Sequence, residues 1–448
     1  MNNLLAARSQ MGMSLAFHII FAIIGIALPL MMTCAEFLWY RTGEGAYLVL
    51  AKRWAKGTAI IFAVGAVSGT VLSFELGLLW PKFMAFAGDV IGMPFSLEGF
   101  AFFTEAIFLG IYLYGWDRIS ARAHLLSGVV VSTSGLASAI FVTIANSWMN
   151  TPRGFALVNG QFTDIHPFAA MNNPAAIPEC LHMVLAAYCA AGFATAAIHS
   201  WLLLRKGPNR FHEAAIMIAF VVGGVAIVAQ MFSGDLVARM VAHYQPTKLA
   251  SLEGQFQTES GAPLRIGGLP DVKAKQTPYA LKIPYGLSLL AFHDPHATIR
   301  GLNDVPRNDW PPVPLVHVSF QVMVGTGSLL LLVTLYGFWM LWRRPPLLDH
   351  RRFLQLLVFA GPLGFVALES GWMVTELGRQ PWIIHGIMRT SAAVSPMPHL
   401  TIPFLSMTAV YAILGVVVIW LFVGHIIVTP REEELNSASA LPGGIHVS

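Results

Sequence analysis

The sequence predicts an all-α protein: a polytopic bundle of about nine transmembrane helices, with the N-terminus outside and the C-terminus in the cytoplasm. Three observations carry that reading. Only 11% of the 448 residues are charged and 56% are hydrophobic, whereas a soluble domain carries about 25% charged residues. The mean hydropathy is +0.64. The apolar residues gather in runs of roughly 20, the length of helix that crosses a bilayer.

The first run covers about 14–39. It is too long for the apolar core of a signal peptide and lacks a small-residue cleavage site, so it is expected to be a retained helix. The next five follow at about 57–80, 97–116, 126–148, 180–204 and 214–236, and the last three at about 315–342, 354–377 and 402–428. Gly, Ser and Ala recur inside the runs, as close helix packing in lipid favours. Pro152, Pro208, Pro345 and Pro346 mark boundaries. The chain therefore divides into six helices over 1–236, a long connection over 237–314, three helices over 315–430 and a tail over 431–448. No internal repeat accompanies this order, which gives no support to a transporter built from inverted repeats.

Orientation follows from Lys and Arg, which gather on the cytoplasmic side. The segments after the odd-numbered spans hold fourteen of them, including Lys52, Arg53, Lys56, Arg205, Lys206, Arg343 and Arg344. The short segments on the other side hold five: Arg8, Lys82, Arg153, Arg379 and Arg389. The remaining eight lie in the 237–314 connection, and long loops obey the rule weakly. That connection is placed outside, and its length marks it as functional or disordered.

The net charge of +4 comes without a basic patch interleaved with aromatics, so nucleic acid is not an expected partner. Cys34, Cys180 and Cys189 are odd in number and form no C-x-x-C, which indicates neither a disulfide framework nor a zinc site. They read as small apolar filler.

Ionisable residues at membrane depth are costly and usually functional. The candidates are His18, Glu75, Glu98, Glu105, His182, Asp235, Glu369 and Glu376, with Met323 as a soft ligand. Each has a plain alternative: a histidine can bond a carbonyl on the next helix, and a methionine can fill a core gap. Their depth argues for a shared site. By the alternation of the spans, His18, Glu75, Glu98, His182, Met323 and Glu376 fall in the outer half of the bilayer. Glu98 and Glu105 are seven residues apart, on one helix face and about 10 Å from each other. Glu369 and Glu376 repeat that spacing, with Trp372 and Met373 on the same stripe, and Arg379 lies within reach of Glu376. Each pair is either an interhelical hydrogen bond or a ligand or proton-relay site. Imidazole and thioether are standard axial ligands of heme iron. Copper is poorly supported, because no His-His pair occurs; His293 and His296 form an H-x-x-H in the loop and read as surface residues.

The stretch Gly371-Trp372-Met373-Val374-Thr375-Glu376-Leu377-Gly378-Arg379-Gln380-Pro381-Trp382 resembles the G-W-x-x-x-E-x-G-R-Q-P-W signature of subunit I of cytochrome bd-type quinol oxidases. Glu98-Gly99 through Glu105 resembles that family's two-glutamate third helix, Gly115-Trp116-Asp117-Arg118 its G-W-D-R, and Ala145-Asn146-Ser147-Trp148-Met149 its A-N-x-W-M. Lys248-Leu249-Ala250 through Glu253 resembles its quinol-loop motif, and the likeness runs over about 5–430. The short connection is similar to the family's short-loop, cyanide-insensitive branch.

The resemblance implies a terminal oxidase that takes electrons from membrane quinol and reduces O2 to water, building a proton gradient without a pump. It implies a low-spin heme b clamped by His182 and Met323, and two high-spin hemes, a heme b and a heme d or further heme b, with His18 and Glu376 as axial ligands. Lys248 and Glu253 would lie at the quinol site, Glu98 and Glu105 would serve proton delivery, and Trp372 and Arg379 would position electrons and propionates. A second membrane subunit, sometimes a small single-span one, and a bacterial inner-membrane location are implied as well. One departure stands out: Gln321 occupies a position where some members carry an Arg that would stabilise the reduced heme. The reading from a different class is a proton-coupled transporter or channel using the buried carboxylates, and a heme-binding sensor is a further rival.

Overall fold

The computed structural model describes residues 2–343, 348 and 350–439. Arg344, Pro345 and Pro346, and residues 440–448 of the tail, lie outside the described residues. Nine helices among the described residues are long and apolar enough to cross a membrane. They are α1 (Asn3–Thr42), α2 (Gly45–Leu79), α3 (Pro81–Tyr114), α4 (Ala121–Asn150), α5 (Ala176–Lys206), α6 (Arg210–Tyr244), α7 (Val313–Arg343), α8 (Arg351–Arg379) and α9 (Thr401–Leu421, extended by a wider turn to Ile426).

The helices outrun the apolar stretches that predict them. α1 begins at Asn3 because the Asn2 side chain accepts the Leu5 N–H at 2.8 Å and caps the first turn. It stops at Gly43, whose left-handed backbone (φ +72°) ends a helix cheaply. α2 begins at Gly45 and carries Lys52, Arg53 and Lys56 before its apolar section. α6 runs on to Tyr244, supported past the membrane section by an Asp235–Arg239 ion pair of 2.7 Å one turn apart. Asp235, a candidate intramembrane acid, thus belongs to a half-exposed helix end.

Packing falls into two groups of four. α1–α4 form one and α5–α8 the other; they meet where α1 and α4 lie against α5, and α9 lies along α1. Small residues permit the closest approaches. A side chain at Gly192 would come within 2.7 Å of the Gly223 backbone, and one at Gly364 within 2.6 Å of the Ala190 backbone. These contacts press α5 onto α6 and α8. The three cysteines are free, with Cys180 and Cys189 buried as expected of filler.

The connection between α6 and α7 is ordered. A short helix, Pro246–Leu252, packs against α6, α7 and α8. A hairpin pairs Leu264–Ile266 with Leu281–Ile283, and a second pair joins Glu259–Ser260 to Thr298–Ile299. Leu249, Leu252, Ala262, Leu287 and Ile299 form a core with Val316 of α7 and Val374 of α8, which anchors the loop to one end of the bundle.

Candidate functional site

Most of the polar groups singled out in the sequence gather toward that loop-covered end. His18 of α1 places Nδ1 2.9 Å from Ser68 Oγ of α2. The Ser68 hydroxyl already donates to the Val64 carbonyl at 2.9 Å. Its oxygen can therefore only accept from His18, which puts the ring hydrogen on Nδ1 and leaves the lone pair on Nε2. His182 of α5 repeats the arrangement. Its Nδ1 lies 2.9 Å from Ser233 Oγ of α6, and Ser233 donates to the Gln230 carbonyl at 3.0 Å. The Gln230 amide nitrogen lies 3.0 Å from His182 Nε2, as a lone pair there requires. Orienting a histidine through one nitrogen so that the other presents a lone pair is how proteins prepare an imidazole for iron.

The neighbouring helices leave room at each soft ligand. A Cβ at Gly69 would sit 3.0 Å from His18 Cε1, one at Gly234 3.6 Å from His182 Cε1, and one at Gly371 3.1 Å from the Met323 sulfur. The donor types, two imidazoles and a thioether each facing a glycine, fit heme ligation. Trp372 packs with Ile19 and Ile23 of α1, Ala187 of α5 and Leu368 of α8, bridging the helices that carry His18 and His182.

Glu376 is held at both oxygens. Asn146 of α4 donates to Oε1 at 2.7 Å and Arg379 donates to Oε2 at 2.6 Å, so the predicted contact between Glu376 and Arg379 is present. Asn150 extends the network: its amide donates to Glu179 at 3.0 Å, and Gln245 donates to the Asn150 carbonyl at 2.9 Å. Lys248 joins from above, its methylenes packed on Gly378, where a Cβ would come within 2.8 Å of Cε. Burial pulls the Lys248 ammonium down to about 8, opposed by the charges of Glu179 and Glu376. His385 is pulled down as well, by burial and then by the Lys248 and Arg379 charges.

Lys248 and Glu253, expected to share a quinol site, have different charged neighbours. Glu253 caps the short helix on another side, 2% exposed, with Oε2 making no hydrogen bond. Burial pushes its carboxyl up to about 7, against the pull of the Arg265 backbone and charge. Gln321 also turns away from Met323: its amide oxygen accepts from Gly267 N–H at 2.9 Å and its nitrogen donates to the Arg265 carbonyl at 3.0 Å.

Glu98 and Glu105 share a face of α3, as their spacing predicts, and both look onto α4. Ser138 donates to Glu98 at 3.1 Å, and a Cβ at Gly135 would come within 3.1 Å of the Glu105 carboxyl. Tyr112 continues the stripe after another seven residues, packed on Gly128. Beside it His124 places Nδ1 2.7 Å from Glu36 and Nε2 2.9 Å from the Tyr112 carbonyl. Glu75 accepts from Gln10 and Ser14 of α1, both at 2.9 Å, while Glu369 has an oxygen buried without a partner. The supporting residues Ser68, Ser233, Gln230 and Asn150 were not identified from the sequence. Asn146 stands in the A-N-x-W-M stretch.

Comparison with known proteins places the chain in a family. The family model for cytochrome bd terminal oxidase subunit I matches residues 6–430. The chain is 37% identical over 446 residues to the putative cytochrome bd menaquinol oxidase subunit I of Bacillus subtilis (strain 168), covering 98% of this chain and 100% of that one. It is 30% identical over 460 residues to the cytochrome bd-II ubiquinol oxidase subunit 1 of Escherichia coli (strain K12), covering 87% and 89%. Its fold is similar to that of a bd oxidase from Geobacillus thermodenitrificans, with a TM-score of 0.90 and 38% identity over 96% of this chain and 99% of that one.

Proposed function

Because the chain belongs to the cytochrome bd terminal oxidase subunit I family, we propose that it oxidises membrane quinol beneath its 245–312 loop and passes the electrons to O2, forming water. The observation that carries this reading is the matched pair of histidines whose Nδ1 hydrogens are committed to serines on the adjacent helix. His182 and Met323 would hold a low-spin heme b; His18 and Glu376 would each hold a high-spin heme, one a heme b and the other a heme d or further heme b. When bound, these groups supply electron transfer and the open iron position at which oxygen is reduced.

The chain's own residues do the proton work. Glu253, its carboxyl pushed up to about 7 by burial, accepts a quinol proton when ionised. Lys248 and Arg379 place positive charge near Glu376, and Arg379 would hold heme propionates. With the N-terminus outside, the loop faces outward and quinol protons leave on that side. Protons for water formation enter from the opposite end, past Glu36, His124 and Tyr112, and climb the α3 stripe through Glu105 to Glu98. Successive carboxyls are about 10 Å apart, so water must bridge them. The carboxylates a transporter would use are thus assigned to substrate-proton delivery. The family implies a subunit II partner for this multi-pass membrane protein. A small single-span subunit and a bacterial inner-membrane location complete the proposed complex.

A reduced-minus-oxidised absorbance spectrum of the purified two-subunit complex, paired with oxygen uptake on added quinol, tests the reading. Heme b bands with quinol-dependent uptake are expected. A folded, partner-bound complex that stays colourless when heme is abundant would overturn it.

A further inference from the structure

We infer that His317 and Gln321 are positioning residues for quinol oxidation, fastening the loop backbone to the helix that carries Met323. This rests on the placement of quinol beneath the loop. The two side chains stand one turn apart on α7, and Gln321 is two residues from Met323. Between them they meet four backbone groups of the loop; a neutral imidazole has one N–H, so His317 donates to one of its two carbonyls, the Leu252 oxygen being the nearer. His317, fully buried, has Nδ1 2.7 Å from the Leu252 carbonyl and Nε2 3.1 Å from the Gly267 carbonyl. Gln321 takes the Gly267 N–H at 2.9 Å and gives its own N–H to the Arg265 carbonyl at 3.0 Å.

The loop is shaped to be held this way. Gly267 and Gly268 are both left-handed, with φ of +70° and +83°, and a Cβ at Gly268 would come within 2.8 Å of Ala280. That double turn follows the Leu264–Ile266 strand and directs both the N–H and the C=O of Gly267 at α7. Gln321 thus pairs with Arg265 and Gly267 as a neighbouring strand would, at an edge where the hairpin has no third strand.

The Leu252 and Arg265 carbonyls tie the clasp to the proposed quinol chemistry. Leu252 precedes Glu253, so the His317 bond pins the end of the short helix on which that carboxyl sits. Arg265 is the cation beside Glu253, and its guanidinium is itself held by Gln255. The clasp therefore fixes the proton acceptor, its counter-charge and the Met323 helix in one frame. In this chain, position 321 couples the loop to the helix by hydrogen bonds.

The test is amide hydrogen exchange of the Gly267 N–H in the detergent-solubilised two-subunit complex, read alongside quinol kinetics. In the wild type this amide should exchange at least about tenfold slower than an unstructured chain, since its acceptor is Gln321. Gln321→Leu should speed its exchange about fivefold to tenfold, the effect of one lost hydrogen bond. It should also raise the quinol KM about fivefold, leaving kcat within about twofold and the reduced low-spin spectrum unchanged. Gln321→Glu keeps the acceptor and should retain the protection. His317→Ala should loosen the same segment. An unprotected Gly267 amide in the wild type, or unchanged exchange in Gln321→Leu, overturns the clasp. Faster exchange with an unmoved KM would uphold the clasp and refute the quinol placement on which its function rests.

Discussion

The two ends of the bundle are both rich in buried polar groups, but they treat those groups differently. At the end away from the loop, polar side chains close on one another and on the chain's own segments. Glu36 pairs with His124 at 2.7 Å. His199 meets His212 nitrogen to nitrogen at 2.9 Å, and His212 reaches Thr429 at 2.9 Å. Arg210 holds Glu44, and Lys206 reaches Thr429 at 3.0 Å. At the loop end, side chains are oriented but incompletely used. Among the described residues, Gln10, Glu75, Gln230, Gln245, Glu253, Arg379 and Tyr411 each keep a buried polar atom without a partner, against Glu36, Trp39, Tyr112 and Ser200 nearer the other end, so the contrast is one of degree. A buried orphan costs free energy unless something meets it. Under the proposed function, the difference separates a scaffold end, whose polar groups mainly join helices and whose Glu36, His124 and Tyr112 also admit protons, from a working end, whose polar groups would face hemes, quinol and water.

Exchanging one histidine at each end should break or confirm this contrast most sharply. His182→Ala is expected to abolish the low-spin heme signal and cut quinol oxidase turnover at least about 100-fold, since ligand and supporting-shell losses are that large. His199→Ala should leave the heme spectrum intact and destabilise the complex by about 1–3 kcal/mol, because it strands the His212 nitrogen. A heme spectrum altered by His199→Ala would erase the distinction between the ends.

Glu105→Gln probes the route joining them. It should slow oxygen reduction by about 10³-fold while heme content stays normal, within the range for a lost proton-transfer group. Normal turnover in a heme-replete Glu105→Gln complex would remove the α3 stripe from the path. Glu253→Gln acts on the outer proton instead and should lower kcat/KM for quinol by about 10²-fold. Its signature is in pH. A carboxyl pushed up to about 7 is an acceptor only once ionised, so wild-type kcat/KM should rise as pH increases through about 7 and level above it. The Glu253→Gln profile should lack that limb; a limb that persists there assigns the titration to another group.

The sequence made some of this legible, for reasons particular to each feature. The nine spans could be read because a membrane imposes a 20-residue apolar length on each of them. Their ends could not, since α1 and α2 continue as helix through Arg8 and through Lys52 and Arg53, where hydropathy falls but backbone hydrogen bonding does not. The Glu376–Arg379 contact was legible because three residues along one helix are always neighbours. Ser68 and Ser233 were not, because each sits about fifty residues from the histidine it orients, on a helix whose rotation no local pattern records. Lys248 and Glu253 look like one site in a line of letters. In and just after a helix of seven residues they meet different opposite charges, Lys248 those of Glu179 and Glu376, Glu253 that of Arg265.

The smallest expected effect lies where the scaffold end is most exposed. The helix Glu432–Ser439 docks on α2, and Glu434 takes the Arg53 guanidinium at 2.9 and 3.1 Å. Arg53 also bonds the Val428 carbonyl, so this ion pair continues a seam that includes His212 and Thr429. Glu434 is 46% exposed, and a solvent-facing pair of this kind contributes about 0–1 kcal/mol. Glu434→Gln should therefore leave turnover within about twofold and the heme spectrum unchanged, while amide exchange in the tail helix rises severalfold. The rise should be mimicked in the wild type by salt, because screening weakens exposed pairs far more than buried ones. If Glu434→Gln instead impaired turnover, the tail would be part of the working machinery, and the scaffold end would have to be redrawn to exclude it.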